Sequence, residues 1–161
     1  MKRTPIERRT PMRRNTPPGN FQRGPQPKRS RSAVQRERAR AWKADRKESE
    51  ILFGQIVRSA PWCLYCGQPR GLQCAHIMRR GHNLTRCDLK NAVALCGRCH
   101  TQFTTGAIVE WAEWIDNAKG PGYYQMLHDR AHAKQTETNS TYWAAKRSEL
   151  TALWAEIKAT Q

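Results

Sequence analysis

The sequence has few acidic and few apolar residues for its length. Its 161 residues include 13 Asp and Glu side chains against 29 Lys and Arg, so the formal net charge is +16 at pH 7. Apolar residues make up 38% and aromatic residues 8%, which is little for a chain that folds along its whole length. This balance points away from acidic proteins and small neutral ligands, and it predicts a polyanionic partner, with nucleic acid first.

The sequence also lacks the long apolar run of about 18 residues that a membrane span needs. Its first residues, Met1 to Pro5, carry charge without an apolar region behind them, so we expect neither secretion nor membrane insertion. Six cysteines are present, four of them in two Cys-x2-Cys pairs, which suits metal–thiolate chemistry in a reducing compartment better than a disulfide framework. We therefore expect a cytoplasmic protein. The length allows about one domain and excludes a second full one.

Charge and proline divide the chain unevenly. Residues 1–47 hold 16 Lys and Arg side chains against three acidic ones, a net +13, which leaves +3 for residues 48–161. The first 31 residues contain six prolines and, besides Met1, three apolar side chains, too few to offset the entropy of ordering. The predicted organisation is a disordered basic tail, a helical N-terminal segment, a Cys- and His-rich core and C-terminal helices, over 1–31, 32–60, 61–105 and 106–161.

Helical periodicity appears before and after the Cys- and His-rich core. The first helix is predicted from Ser32 to about Ser59, before Pro61, and a last helix after the capping residues near Thr138. Between them we expect a helix beyond Gly106 and a short one over about 123–133. The residues predicted to form apolar helix faces are Trp42, Ile51, Leu52, Phe53, Ile56, Val57, Ile108, Trp111, Ile115, Trp143, Leu150, Leu153, Trp154 and Ile157. We expect the tryptophans at 111, 114, 143 and 154 and the tyrosines at 123 and 124 to pack in the core rather than stack on bases.

The two Cys-x2-Cys pairs are typical of a structural zinc site. Two intervening residues let both thiolates of a pair turn toward one point, and four thiolates form a closed tetrahedral shell with no position for water. The alternative, a pair of redox dithiols, is less consistent with two matching motifs. The predicted ligands are Cys63, Cys66, Cys96 and Cys99. Cys74 and Cys87 have no partner at this spacing and are predicted to pack as small residues.

Between and after these pairs the sequence carries His76, then Asn91, and then His100 directly after Cys99. This order, Cys-x2-Cys, His, Asn, Cys-x2-Cys-His, resembles the zinc-stapled HNH endonucleases over about 45 of the 161 residues. The run from Arg86 to Asn91 followed by the second cysteine pair is also similar to the phage recombination nucleases of the NinG type. The resemblance implies an α+β fold with a small ββα-metal core flanked by helices. It also implies DNA as the substrate, branched or duplex, in a bacterial host cell if the protein is phage-encoded.

Phosphodiester hydrolysis needs a base for the attacking water and a cation at the phosphoryl and leaving oxygens. His76 suits the base, because imidazole is partly deprotonated near neutral pH and a strand can hold its other ring nitrogen. His100, at the start of a helix, suits a ligand of a catalytic divalent metal, Mg²⁺ or Mn²⁺. The resemblance implies that Asn91 positions the hairpin or the metal; an Asn that caps a turn is the alternative.

The sequence departs from the HNH pattern at one position. Many HNH sites have an acidic metal ligand immediately before the base histidine, and this chain has Ala75 there. Asp88 is the one carboxylate between the cysteine pairs, and it is predicted either to bind the catalytic metal or to cap a helix. NinG-type sequences also lack the acid at this position.

Arginines and a histidine near the predicted site suit phosphate binding. His82 is a candidate contact to the scissile phosphate, with a solvated loop as the alternative. The surrounding guanidinium groups predicted to bind nucleic acid are Arg79, Arg80, Arg86 and Arg98. His128 and His132 lie four residues apart on a predicted helix, but no third ligand is near them in sequence, so we expect surface histidines.

Three functions fit these patterns. The first is a metal-dependent HNH endonuclease that hydrolyses DNA with His76 as base, a structural zinc and a basic tail for affinity. The second, favoured by Ala75, is a zinc-stapled nucleic-acid-binding protein without catalytic activity. The third, an RNA-binding or ribosome-associated zinc protein, leaves His76, Asn91 and His100 unexplained. Cutting of both strands would favour a dimer, although nothing in the sequence indicates an interface.

Overall fold

A computed structural model describes residues 32–106 and 108–160. The tail predicted to be disordered, residues 1–31, lies outside the described residues. The described chain is a mixed helical protein with one small antiparallel sheet. In chain order its elements are α1 (Ala33–Arg58), β1 (Leu72–His76), α2 (Asn83–Arg86), a 3-10 turn (Leu89–Asn91), β2 (Ala92–Cys96), α3 (Gly97–Thr105), α4 (Ile108–Lys119), α5 (Tyr123–His132) and α6 (Asn139–Ala159).

The long helix α1 begins at a capping box. The Ser32 hydroxyl accepts a hydrogen bond from the Gln35 N–H, and the Gln35 side chain accepts one from the Ser32 N–H, so two of the unpaired donors at the helix start are satisfied. The helix ends at Arg58, close to the end predicted from the sequence. Helix α6 begins after Thr138, whose hydroxyl accepts from the Thr141 N–H, and it packs along α1.

The two strands pair in register from Leu72 opposite Cys96 to His76 opposite Ala92. Because side chains alternate along a strand, each face of the sheet contacts a different group of helices. Cys74 and Ala94 pack with α1 and α6, around the fully buried Trp143 and Leu150. The opposite face, including Ala75, Val93 and Leu95, packs with α3, α4 and α5, around Trp111, Ile115 and Leu127. The sheet is therefore the layer between two small hydrophobic cores.

The aromatic residues predicted to pack in the core do so. Trp111 and Trp143 are buried, and Trp114, Tyr123, Tyr124 and Trp154 are half-buried against the two cores. The prediction of a buried apolar helix face is wrong at two positions. Ile51 is 52% exposed on α1, and Ile108 is 65% exposed in the first turn of α4, before that helix reaches the core. Among the described helices, none has the length and apolar content to cross a membrane.

Candidate metal centre and histidine site

The first cysteine pair lies in the loop between α1 and β1. The Cys63 N–H donates to the Gln68 carbonyl oxygen at 2.8 Å, and the Gly67 N–H donates to the Cys63 carbonyl oxygen at 2.9 Å, which closes a tight turn around Cys66. Gly67 has φ of 74°, the left-handed conformation that glycine adopts without a Cβ clash. The Leu64 N–H also bonds the Ala94 carbonyl at 2.9 Å, so the turn is attached to β2.

The second cysteine pair spans the junction of β2 and α3. Cys96 ends β2 and is the N-cap of α3, and Cys99 lies in the first turn of that helix. Thiolates are stabilised at a helix start, because the free N–H groups and the helix dipole place partial positive charge there. The end of β2 and the start of α3 therefore position both sulfurs, with no loop between the two elements.

The four cysteine sulfurs form one cluster. The Sγ atoms of Cys63, Cys66, Cys96 and Cys99 lie within 4.8 Å of one another. The Cys66 and Cys96 sulfurs are 3.7 Å apart, and the edge of a tetrahedron with Zn–S bonds of about 2.3 Å is about 3.8 Å. The donor set and its spacing fit a metal ion such as zinc. Four thiolates leave no ligand position for substrate, so a metal here is structural.

The surroundings of these thiols favour the ionisation of Cys63 and Cys96 and oppose that of Cys99. Burial opposes ionisation of Cys63, but backbone N–H groups of Cys66, Cys96 and Tyr65 donate to its sulfur and lower its pKa to about 6. The Cys99 N–H lowers the pKa of Cys96 in the same way. Burial and the three neighbouring cysteines raise the pKa of Cys99. A divalent cation at the centre favours the thiolate form of all four.

The other two cysteines lie in the core beside α1. Cys74 and Cys87 are 9% and 1% exposed and pack with the residues around Trp143. Burial raises the pKa of Cys74 to about 11 and that of Cys87 to about 12, so both remain thiols. Their predicted role as small packing residues agrees with this environment.

His76 ends β1 with both ring nitrogens in contact with neighbouring groups. Its ring packs on Phe53 of α1, with centroids 5.2 Å apart. Nε2 lies 3.0 Å from the carbonyl oxygen of Arg86, and a carbonyl can only accept, so Nε2 carries the proton. Nδ1 therefore holds the lone pair of the neutral ring, and the Arg80 Nε–H points toward it at 3.4 Å.

The environment of His76 favours the neutral imidazole. Burial lowers its pKa below the usual value, because the charged form loses hydration. The hydrogen bond to the Arg86 carbonyl and the charge of Glu50 raise this pKa, and the positive charges of Arg80 and Arg86 lower it. The net direction is down. At neutral pH the ring is thus able to accept a proton at Nδ1.

His100 lies in α3 and faces β1. Its Nδ1 is 2.6 Å from the Gln73 side-chain oxygen, which fixes the proton on Nδ1 and leaves Nε2 as the lone-pair nitrogen. Burial and the charge of Arg80 lower the pKa of His100. His76 and His100 line the same cavity of about 320 Å³, together with Ala75, Arg79, His82 and several apolar residues. Of the described residues that line it, none carries a carboxylate. We name it the two-histidine cavity after His76 and His100, the predicted base and metal ligand; His82 is a third histidine in its lining.

Asn91 is completely buried beneath the loop that follows β1. Its side-chain oxygen accepts from the Met78 N–H at 2.6 Å, and its amide donates to the carbonyl oxygens of Met78 at 3.1 Å and Thr85 at 2.8 Å. All of these partners are backbone groups. The side chain therefore positions the segment that carries Arg79, Arg80 and His82 and does not line the two-histidine cavity.

Asp88 caps the 3-10 turn, which is the second of its two predicted roles. Its carboxylate accepts from the Lys90 N–H at 3.0 Å and pairs with Arg130 of α5 at 2.8 Å. Apart from the four cysteines, the described residues bring no three His, Cys, Asp or Glu side chains close enough to share a metal ion. The contacts of Asp88 therefore give it a structural role, as the cap of the turn and the partner of Arg130.

The predicted phosphate-binding arginines differ in their surroundings. Arg86 pairs with Glu50 at 3.1 Å and is 18% exposed, so a carboxylate already balances its charge. The side chains of Arg79 and Arg80 are exposed next to His76, and Arg98 is exposed on α3. The sequence did not identify the Glu50 partner, because 36 residues separate it from Arg86.

His82 lies next to a histidine pair that is distant in sequence. Its ring centroid is 4.8 Å from that of His132, which is 4.3 Å from that of His128. The His132 Nδ1 is occupied by the His128 carbonyl oxygen at 2.8 Å. His128 and His132 are exposed, as predicted. Sequence spacing did not indicate that His82 approaches them.

Comparisons of the chain with protein-family models, with curated proteins and with solved structures found no match.

Proposed function

We propose that this protein is an HNH-type endonuclease that hydrolyses DNA phosphodiester bonds, with the four-cysteine metal as a structural zinc. The observation that carries the proposal is the hydrogen bonding of His76. Its Nε2 proton is held by the Arg86 carbonyl, and its Nδ1 lone pair lies beside an exposed arginine. A general base for water needs a fixed ring, a nitrogen with a lone pair and a neutral resting form, and His76 has all three. The Arg80 Nε–H donates to this nitrogen at 3.4 Å, and water takes its place in the proposed step.

The proposed step uses His76 and the neighbouring arginines. Nδ1 accepts a proton from water while the water oxygen attacks phosphorus, and the P–O3′ bond breaks. The leaving 3′ oxygen takes a proton from solvent, so the products are a 3′ hydroxyl and a 5′ phosphate. Arg79 and Arg80 supply positive charge next to His76, where negative charge grows on the phosphoryl oxygens.

The described residues do not by themselves fit a catalytic Mg²⁺. Mg²⁺ is usually held by one or two carboxylates together with substrate phosphates, and the two-histidine cavity offers the Nε2 atom of His100 but no carboxylate. An imidazole ligand suits transition metals better. The proposed step therefore uses only side chains of this protein.

The test is cleavage of supercoiled plasmid by the zinc-loaded full-length protein, with added Mg²⁺, Mn²⁺ or Co²⁺ and without added metal. We expect nicking by the wild type and a loss of about 10²–10⁴-fold in rate for His76→Ala, the usual contribution of a general base. His128→Ala is the matched control, because this exposed histidine lies outside the two-histidine cavity. DNA affinity and zinc content should be unchanged in His76→Ala, because the base acts mainly in the transition state.

One observation favours the second function, a zinc-stapled nucleic-acid-binding protein without activity. Ala75 occupies the position of the acidic ligand, and no carboxylate lines the cavity. A wild-type protein that binds DNA but leaves supercoiled, linear and branched DNA intact with all three metals would establish this alternative. Cleavage that persists in His76→Ala would instead show that the protein is an enzyme whose base is not His76.

A further inference from the structure

A second cavity, of about 310 Å³, lies between α1 and β1. Four residues from α1 and the segment after β1 give it its charge: Glu50, Arg58, Arg80 and Arg86. His76 also lines it and is common to this cavity and the two-histidine cavity. We name the second one the arginine cavity. A group bound in the arginine cavity would therefore lie beside His76, the proposed base.

A glycine inside α1 makes room for one of these arginines. Gly54 is buried within a 26-residue helix, although glycine is the poorest helix former after proline. A Cβ at this position would lie 2.8 Å from Nη1 of Arg58, closer than a Cβ contact allows. The missing side chain therefore lets the Arg58 guanidinium fold back over the preceding turn and line the arginine cavity.

The charges in the arginine cavity are not balanced. Glu50 pairs through Oε1 with Arg86 at 3.1 Å and with Arg46 at 3.3 Å, so one carboxylate already faces two guanidinium groups. None of the ion pairs among residues 32–106 and 108–160 includes Arg58 or Arg80. The Arg58 guanidinium thus remains available to an anion, as do the terminal nitrogens of Arg80, whose Nε donates to His76. A guanidinium binds a phosphate through two parallel hydrogen bonds, which makes arginine well suited to this ligand.

We propose that the arginine cavity binds a backbone phosphate of DNA, next to the phosphodiester on which His76 acts, with Arg58 as its principal ligand. The position relative to the cleaved bond rests on the proposed function. The binding itself does not, because it requires two unbalanced arginines and a cavity of sufficient size. Neither Arg58 nor Gly54 was identified from the sequence. The feature that could have indicated them is a glycine inside an otherwise apolar helical segment.

The experiment measures binding of a short labelled DNA duplex over a range of salt concentrations, by fluorescence anisotropy and without added divalent metal. Each phosphate contact contributes about 0.9 to the slope of log affinity against log salt. We expect Arg58→Ala to weaken binding severalfold and to reduce this slope by about 0.9. Lys158→Ala is the control for charge, because it removes one positive charge from an exposed position in α6, outside the cavity. We expect it to keep the wild-type slope.

Gly54→Ala separates the cavity from general effects on the fold. Alanine is the better helix former, so the melting temperature should not fall, while the displaced Arg58 should weaken binding in the direction of Arg58→Ala. An Arg58→Ala slope equal to that of Lys158→Ala would overturn the proposal, as would a wild type that does not bind the duplex. A wild type that binds but never cleaves would overturn the nuclease and leave the arginine cavity intact. Cleavage that depends on His76, together with a wild-type salt slope in Arg58→Ala, would overturn the arginine cavity and leave the nuclease intact.

Discussion

The side chain of Asn91 holds both backbone groups of Met78, accepting from its N–H at 2.6 Å and donating to its carbonyl oxygen at 3.1 Å. This pairing fixes the chain directly after β1, where it leaves His76 and turns toward Arg79 and Arg80. The Ile77 N–H, one residue earlier, donates to the Asn91 backbone carbonyl at 2.9 Å. The loop beside the two-histidine cavity is therefore fastened by one buried amide.

Asn91→Ala is expected to destabilise the protein by roughly 3 kcal/mol, because it leaves the Met78 N–H and the carbonyls of Met78 and Thr85 buried without their partner. Urea unfolding followed by circular dichroism measures this change. Asn83→Ala is the control, because its side-chain bonds of 3.3 and 3.5 Å are long and partly exposed, and its cost should stay under about 1 kcal/mol. Equal midpoints for the two variants would contradict the role of Asn91.

The four-cysteine cluster predicts one tightly held zinc per chain. Replacement of Cys63 or Cys99 by Ser should release the metal and lose the near-UV signal of the core, because the metal would join the loop before β1 to the end of β2. Elemental analysis of dialysed protein measures the zinc content. Cys74→Ser should keep the zinc, since Cys74 lies in the other core. A metal-free preparation with an intact near-UV signal would refute a structural zinc.

The pH dependence of cleavage should reflect the lowered pKa of His76. The base acts only when deprotonated, so the rate should rise with pH and reach its plateau after a midpoint below the usual value of about 6.5. Arg80→Ala removes a positive charge that disfavours the imidazolium, so it should move this midpoint to higher pH. Lys158→Ala should leave the midpoint in place. A midpoint that Arg80→Ala does not move, or moves down, would contradict the assignment of His76.

His100 gives a prediction about metal preference. Because the two-histidine cavity offers an imidazole and no carboxylate, cleavage should be supported better by Mn²⁺ or Co²⁺ than by Mg²⁺. His100→Ala should lower the rate, and a raised Mn²⁺ concentration should partly restore it, whereas His76→Ala should not respond. Initial rates over a metal titration measure both effects. Equal rates with and without added metal would exclude a metal role for His100.

The basic N-terminal residues should supply much of the nonspecific affinity for DNA. A deletion that tests this must stop at residue 31, because α1 begins at Ala33 and its Trp42 packs on the core. Removing residues 1–31 takes away ten basic and one acidic side chain, a net +9. Duplex binding should weaken at low salt, with a flatter salt dependence, while the zinc content is kept. A deletion with the wild-type salt slope would place the affinity in the described residues instead.

The sequence by itself determined the features that depend on local spacing. Two residues between paired cysteines, prolines and glycines at helix ends, and apolar residues at helical intervals are all short-range patterns. They predicted the cluster of four cysteines and the helices α1, α4, α5 and α6. The short helix α2 was not predicted. Charge composition likewise needs no structure, because the net charge is the sum over residues.

Tertiary structure decided which distant residues surround His76 and His100. The Arg86 carbonyl that fixes the His76 ring, the Gln73 oxygen that fixes His100 and the Glu50 carboxylate that occupies Arg86 come from separate elements. These contacts arise because a two-stranded sheet is packed between two helical layers, and no spacing rule encodes such a packing. For the same reason the sequence could not choose between a ligand and a cap for Asp88, whose Arg130 partner lies in α5.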